Sequence, residues 1–559
     1  MNAAGRFALR WIAPLLMYAA ACARLAFLKG PSVPRERGTG STEIGPAFAP
    51  EPVRATLDTT SDWAGYNNSY TGSRFSPLHQ ISPGNVGSLT RVCTFELGER
   101  TPMESGPVVV NGTLYLTTAE NTYAIDARTC GLRWKHTYRY TPKPPFDLKV
   151  NRGVAFLNGR LFRGANDGRV YALEAWTGKE VWNVAAGDPS RGETFPAAPV
   201  AWRDLVFMGN AGGDNFGVIG RMMAFDAASG GRRWSFDLVP ESGAPAESWP
   251  PSTETVPRGG AASWTTYALD TASGTVYVPT GNSAPDFLPE LRPGANLYAY
   301  SIVALDARTG AFRAHYPILS RDFHDWDVAA APLLITSRAG RRLLVVAGKD
   351  GHVYGIELAS KTRRYATPVT TIDNIDAPLT REGTRFCPGV NGGVEWNGPT
   401  YSPLTNTLYV NAIDWCTTVS VDPPEKLEGK DGLPWTGSSE LEHPFGVPDS
   451  TRRGWLTALD ADDGTVRWQY PSPTPLVAGI TSTAGGLVFT GDLSGDVLAF
   501  DAGDGRILWR SNTGQPIGGG IISYAVNDRQ FIAVASGLHA PVTWQLKTSP
   551  ARVVVYGLP

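Results

Sequence analysis

One short pattern recurs along the chain: an apolar residue, Asp or Glu, a turn closing near Gly, then Trp. It reads AIDARTCGLRW at 124–134, ALEAWTGKEVW at 172–182, AFDAASGGRRW at 224–234, ALDADDGTVRW at 458–468 and AFDAGDGRILW at 499–509. Weaker copies stand at 304–314 (ALDARTGAFRA) and 355–365 (GIELASKTRRY). Alternating residues lead into each copy, as in TLYLTTAENTYAID, so a copy is a hairpin whose Asp accepts bonds from turn amides. Such a unit has an apolar face that it cannot cover alone, and stacking on a neighbour is the remedy. Spacings of about 40–50 residues allow four strands per unit, the period of a β-propeller. Seven copies are present. An eighth unit combines the segment near 62–98 with C-terminal strands at 531–536 and 552–557, which joins the two ends and removes exposed strand edges. The expectation is an all-β chain, an eight-bladed β-propeller with Trp-docking repeats.

Composition narrows the function. The 559 residues carry 50 Lys and Arg against 52 Asp and Glu, a net charge of −2, so the basic excess of a nucleic-acid binder is missing. With 18% charged residues, 62 Gly and 44 Pro, the chain is neither a coiled coil nor acidic disorder. No apolar run reaches the length of a membrane-spanning helix.

At the N-terminus, Arg6 and Arg10 precede an apolar run from Trp11 to Ala23, followed by a stretch rich in Gly, Pro, Ser and Thr. Residues 1–28 read as a signal peptide or N-terminal anchor, 29–58 as a flexible linker and 59–559 as the propeller. Cys22 leaves room for a lipid anchor, and the expected location is periplasmic, with peripheral membrane attachment as a variant. The other cysteines are Cys93, Cys130, Cys387 and Cys416, an even number that favours two bridges in an exported chain. They are paired locally, Cys93–Cys130 and Cys387–Cys416, four free core thiols being the alternative. No Cys-x-x-Cys-His occurs, so the chain has no c-type haem site of its own.

The Trp-bearing repeats, the opening DWAGYNNSYTGSRFSPLHQISPGNVGSL at 62–89 and the motifs below resemble the pyrroloquinoline quinone (PQQ)-dependent alcohol dehydrogenases over nearly all of the chain after residue 60. The resemblance implies an eight-bladed propeller with PQQ in an axial funnel, a bound Ca2+, and electrons passed to a separate cytochrome c or membrane quinone. PQQ is a planar tricarboxylate, and holding it calls for cations, flat side chains and a hard ion with oxygen ligands. By the resemblance, Glu104 in TPMESGPVVV and Arg152 in NRGVAF bond the quinone, and Lys349 in GKDGHVYG faces its reactive carbonyl from the other side. Trp264 in GGAASWTTYALD floors the ring. Asn282 in PTGNSAP, Asp214 in GNAGGDNFGVIGR and Asp327 at the end of HDWD hold the metal, and Asp327 is also the general base for the alcohol proton.

Several positions depart from the family pattern. Phe146 and Asp147 stand where many relatives have adjacent cysteines, Glu395 replaces an Asn beside the cofactor, Pro196 replaces a Thr, and Val477 replaces a Trp. Asp214 stands where most relatives have Glu, and Ala329 stands where lanthanide-using relatives place an Asp, which favours Ca2+. The favoured function is an exported quinoprotein dehydrogenase. The alternatives are a non-enzymatic propeller resembling the scaffold lipoproteins of outer-membrane assembly, and a degenerate propeller that binds the cofactor without turnover.

Overall fold

The computed structural model describes residues 40–44, 61–438 and 445–559. The signal or anchor segment lies outside these residues, as does most of the stretch read as linker. Within that stretch Gly40–Ile44 is a strand, pairing antiparallel with Leu132–Tyr138 at a sheet edge rather than running as a tether. Among the described residues no helix is long and apolar enough to cross a membrane.

The described chain is built from strands. It contains eight antiparallel groups of four, most of them consecutive in sequence, with Gly40–Ile44 and Phe75–Ser76 as added edge strands. The last group closes the chain on itself. Thr90–Glu96 pairs with Arg552–Gly557, which continues through Arg529–Ser536 to Ile521–Val526. Both cysteine bridges form as paired above, Cys93–Cys130 and Cys387–Cys416.

The repeat explains how neighbouring sheets meet. In each copy the residue four places after the Asp or Glu donates its amide to that residue's carbonyl, as in Gly230 to Asp226 (2.8 Å) and Gly310 to Asp306 (2.8 Å). This residue has positive φ, the reason for glycine at Gly178, Gly230, Gly310, Gly464 and Gly505. The aromatic residue of the preceding sheet lies flat on that glycine. A Cβ at Gly178, Gly230, Gly310 or Gly505 would stand 2.5–2.7 Å from Trp134, Trp182, Trp234 or Trp468 respectively. Each indole also donates to a carbonyl of the next sheet: Trp134 to Ala175 (3.0 Å), Trp182 to Ala227 (3.1 Å), Trp234 to Ala307 (3.1 Å) and Trp468 to Ala502 (3.2 Å). The weak copies follow the same rule. Tyr365 takes the place of Trp and bonds the Ala461 carbonyl (3.3 Å). Where Trp is replaced by Ala314, the facing glycine is replaced by Lys361 (φ 57°), so the large residue and the bare backbone are lost together. Apolar side chains fill the spaces between sheets, as where Leu114 and Tyr123 of the first sheet pack with Phe531 and Val553 of the last.

Candidate active site

Within a sheet, the first strand and its antiparallel neighbour place the start of one and the end of the other at the same edge. Glu104, Arg152, Trp264, Asp327 and Glu395 each precede a first strand, at Val108–Val110, Ala155–Leu157, Ala268–Asp270, Leu333–Thr336 and Thr400–Ser402. Asp214, Asn282 and Lys349 each follow a second strand, at Leu205–Gly209, Thr275–Pro279 and Arg342–Ala347. The topology therefore delivers all eight to one side, and all eight line a single cavity of about 590 Å3.

The cavity has a cationic, aromatic wall. Arg152 pairs with Glu104 (2.6 Å) and donates to the Trp264 carbonyl (3.2 Å). Its guanidinium also lies over two indoles, 4.6 Å from the Trp264 ring centre and 5.2 Å from that of Trp396. Burial raises the Glu104 carboxyl, with Arg152 opposing. Glu395 is pushed up to about 7 by burial and by the charges of Asp327 and Glu104, against the pull of Lys349 and Arg152.

A second group of cavity residues is acidic. Asp327 is buried and fixed at both oxygens: Oδ1 accepts from the Asn282 amide (2.8 Å), and Oδ2 lies 3.5 Å from Lys349 Nζ. Gly281 has no room for a side chain, since its Cβ would stand 2.5 Å from Asp327 Oδ1. Lys349 also pairs with Asp325 (3.1 Å). Burial alone would lower the Lys349 ammonium, but Asp325, Asp327 and Glu395 outweigh it and hold the group protonated. Asp214 is pushed up to about 6 by burial and by the Asp327 charge, Lys349 and Asn282 opposing.

Three residues in or beside the cavity went unassigned in the sequence. Trp396 follows Glu395 directly and doubles the aromatic surface. Asp286 stands four residues after Asn282. Asp325 is the first Asp of HDWD, to which no role was given. Asp214, Asp286 and Asp325 each bring one carboxylate oxygen within 4.8 Å of the other two.

The residues present fit both implied groups. Two indoles and two cations on an open cavity suit a flat polycarboxylate. An all-oxygen donor set, with the buried Asp286 carboxylate lacking any hydrogen-bond donor, suits a hard cation.

Fold and cavity together define a quinone-cofactor dehydrogenase class, and sequence comparison agrees. The family model of the PQQ glucose/ethanol/alcohol dehydrogenase β-propeller domain matches residues 63–360, and that of the outer membrane protein assembly factor BamB matches 452–556. The chain belongs to the PQQ-dependent glucose/ethanol/alcohol dehydrogenase family. It is 30% identical to the quinohemoprotein alcohol dehydrogenase of Comamonas testosteroni, over 87% of this chain and 74% of that protein. It is 29% identical to the lanthanide-dependent methanol dehydrogenase of Methylacidiphilum fumariolicum strain SolV, over 78% and 77%. The solved Comamonas testosteroni quinohemoprotein alcohol dehydrogenase superposes with a TM-score of 0.78 at 27% identity, covering 89% of this chain and 80% of that one.

Proposed function

We propose that this protein oxidises an alcohol, or a related hydroxyl or aldehyde substrate, in this cavity with PQQ and Ca2+, and passes the electrons to a separate cytochrome c or membrane quinone. The observation that carries the reading is Asp327, a buried carboxylate held between a backbone amide and an ammonium in the same cavity as Arg152 and the two indoles. The periplasm is the proposed location, in keeping with the two disulfides. The proposed scaffold is an eight-bladed propeller with Trp docking between blades, a reading supported by the eight groups of four strands and the indole contacts across them.

In this reading Arg152, Lys349, Glu104 and Glu395 border PQQ, Trp264 and Trp396 offer it flat surfaces, and Asp214, Asn282 and Asp327 ligate the metal. PQQ, when bound, supplies the two-electron acceptor, and the metal polarises it. The protein's own part is positioning and proton transfer. Asp327 takes the hydroxyl proton at Oδ2, whose contact with Lys349 (3.5 Å) is looser than the Asn282 amide bond to Oδ1 (2.8 Å). Lys349 keeps that carboxylate in place through a buried ion pair, and its fixed charge balances the acids around it. Arg152 presents a second fixed positive charge, oriented by Glu104 and needing no reorganisation during reaction. The rings of Trp264 and Trp396 exclude water from the guanidinium face.

The test is reconstitution of the full chain with PQQ and Ca2+, read by retained quinone absorbance and by reduction of an artificial acceptor with a panel of alcohols, aldehydes and sugars. Retention of PQQ together with substrate-dependent dye reduction is expected. Failure to retain PQQ with any metal would falsify the reading and favour a non-enzymatic scaffold.

A further inference from the structure

We propose that Asp286 and Asp325 are ligands of the cation bound beside this cavity, sharing it with Asp214. The inference rests on the reading of the cavity as a hard-cation site, and extends its ligand set beyond Asp214, Asn282 and Asp327.

Asp286 is the decisive residue. Its side chain is completely buried, and neither carboxylate oxygen has a hydrogen-bond partner. A charge in that position is costly unless a counter-ion meets it. The cations nearby are committed elsewhere. Arg292 donates Nε to the Pro285 carbonyl (2.7 Å), Nη1 to Asn296 Oδ1 (3.3 Å), and Nη2 to the carbonyls of Asp286 and Asp322 (2.7 Å each). Lys349 is held by Asp325 and Asp327. What Asp286 does face is acid: one oxygen each from Asp214, Asp286 and Asp325 lie within 4.8 Å of one another. Oxygens sharing a Ca2+-sized ion sit 2.3–2.6 Å from it, hence no more than about 5 Å apart. The three carboxylates already satisfy that limit.

The full chain, freed of metal by chelator, is titrated without PQQ against Tb3+ and Ca2+. Binding is read by tryptophan-sensitised Tb3+ emission and by the metal-induced rise in Tm. The wild type is expected to bind both ions. Asp286→Asn and Asp325→Asn should each weaken Tb3+ and Ca2+ binding about tenfold or more. Asp286→Asn replaces a buried carboxyl that has no hydrogen-bond partner by an amide of the same size, so its metal-free Tm should not fall. If both variants bind like the wild type while Asp214→Asn or Asp327→Asn binds weakly, the inference is overturned and the smaller ligand set stands. If the wild type binds neither ion, the cation reading of the cavity falls with it.

Discussion

The same residue type meets opposite fates in two parts of this molecule. In the repeat turns, Asp126, Asp226 and Asp306 are surrounded by donors. Asp226 Oδ1 accepts from the Ala228 and Ser229 amides (3.1 and 2.8 Å), and Oδ2 pairs with Arg233 (2.5 Å). The Arg233 and Ser229 bonds hold its carboxyl down at about 2. In and beside the cavity, Asp214 is pushed up to about 6, and Asp286 and Asp325 lie well above the usual carboxylate range, burial being the first cause in each. The turn acids are complete within the chain and serve the fold. The cavity acids lack sufficient donors within the chain, and that deficit is what an external cation can fill.

Substitutions on each side should separate the two roles. Asp327→Ala is expected to lower dye-linked turnover per folded molecule by about 10²–10⁴-fold, the range of general-base contributions, and also to lower the urea midpoint, because it takes a buried partner from Lys349 and from the Asn282 amide. Turnover within twofold of wild type would reject the base assignment. Trp234→Ala is the converse. It removes an indole that lies on Gly310 and bonds the Ala307 carbonyl, and should cost about 3–5 kcal/mol of stability with activity per folded molecule retained. An equal loss of turnover in folded Trp234→Ala protein would show that scaffold and cavity are not separable.

A buried base carries the contrast into pH. Burial, then the charge of Arg163, lower His136 to about 4. An unfolded histidine titrates near about 6.5. Between those values the unfolded chain holds the extra proton, so stability is full above about pH 6.5 and falls as pH drops toward 4, by up to about 3 kcal/mol. The difference between urea midpoints of wild type and His136→Gln should shrink over that interval. Parallel curves would refute it.

Much of this architecture was legible because it repeats. A period, an acidic turn residue and a Trp eight positions on were enough to anticipate stacked four-stranded units, and short separations made the two cysteine pairings readable. Even the exception at Ala314 and Lys361 follows the rule, although its meaning emerges only when the two positions are seen face to face. The eight candidate residues were legible one at a time, through motifs at strand ends. Asp286 and Asp325 were not. Their significance lies in what surrounds them, a convergence of three loops and an absence of donors, and neither is written in local spacing. Trp396 was hidden by its ordinary look in a chain with 17 Trp.

The smallest effect belongs to the turn acids. Arg233 is more than half exposed, so solvent and salt screen its pair with Asp226. The bonds that matter are those from the Ala228 and Ser229 amides, which no other group replaces as well as a carboxylate at this position. Asp226→Ala should therefore cost only about 1 kcal/mol, most of it persisting at high salt, and Asp226→Asn should recover much of the loss because its amide oxygen can still accept. A loss that vanishes in high salt, or that Asn does not rescue, would place the energy in the ion pair instead. The turn acids would then depend on charge compensation as the cavity acids do, and the distinction between the two sets would reduce to exposure alone.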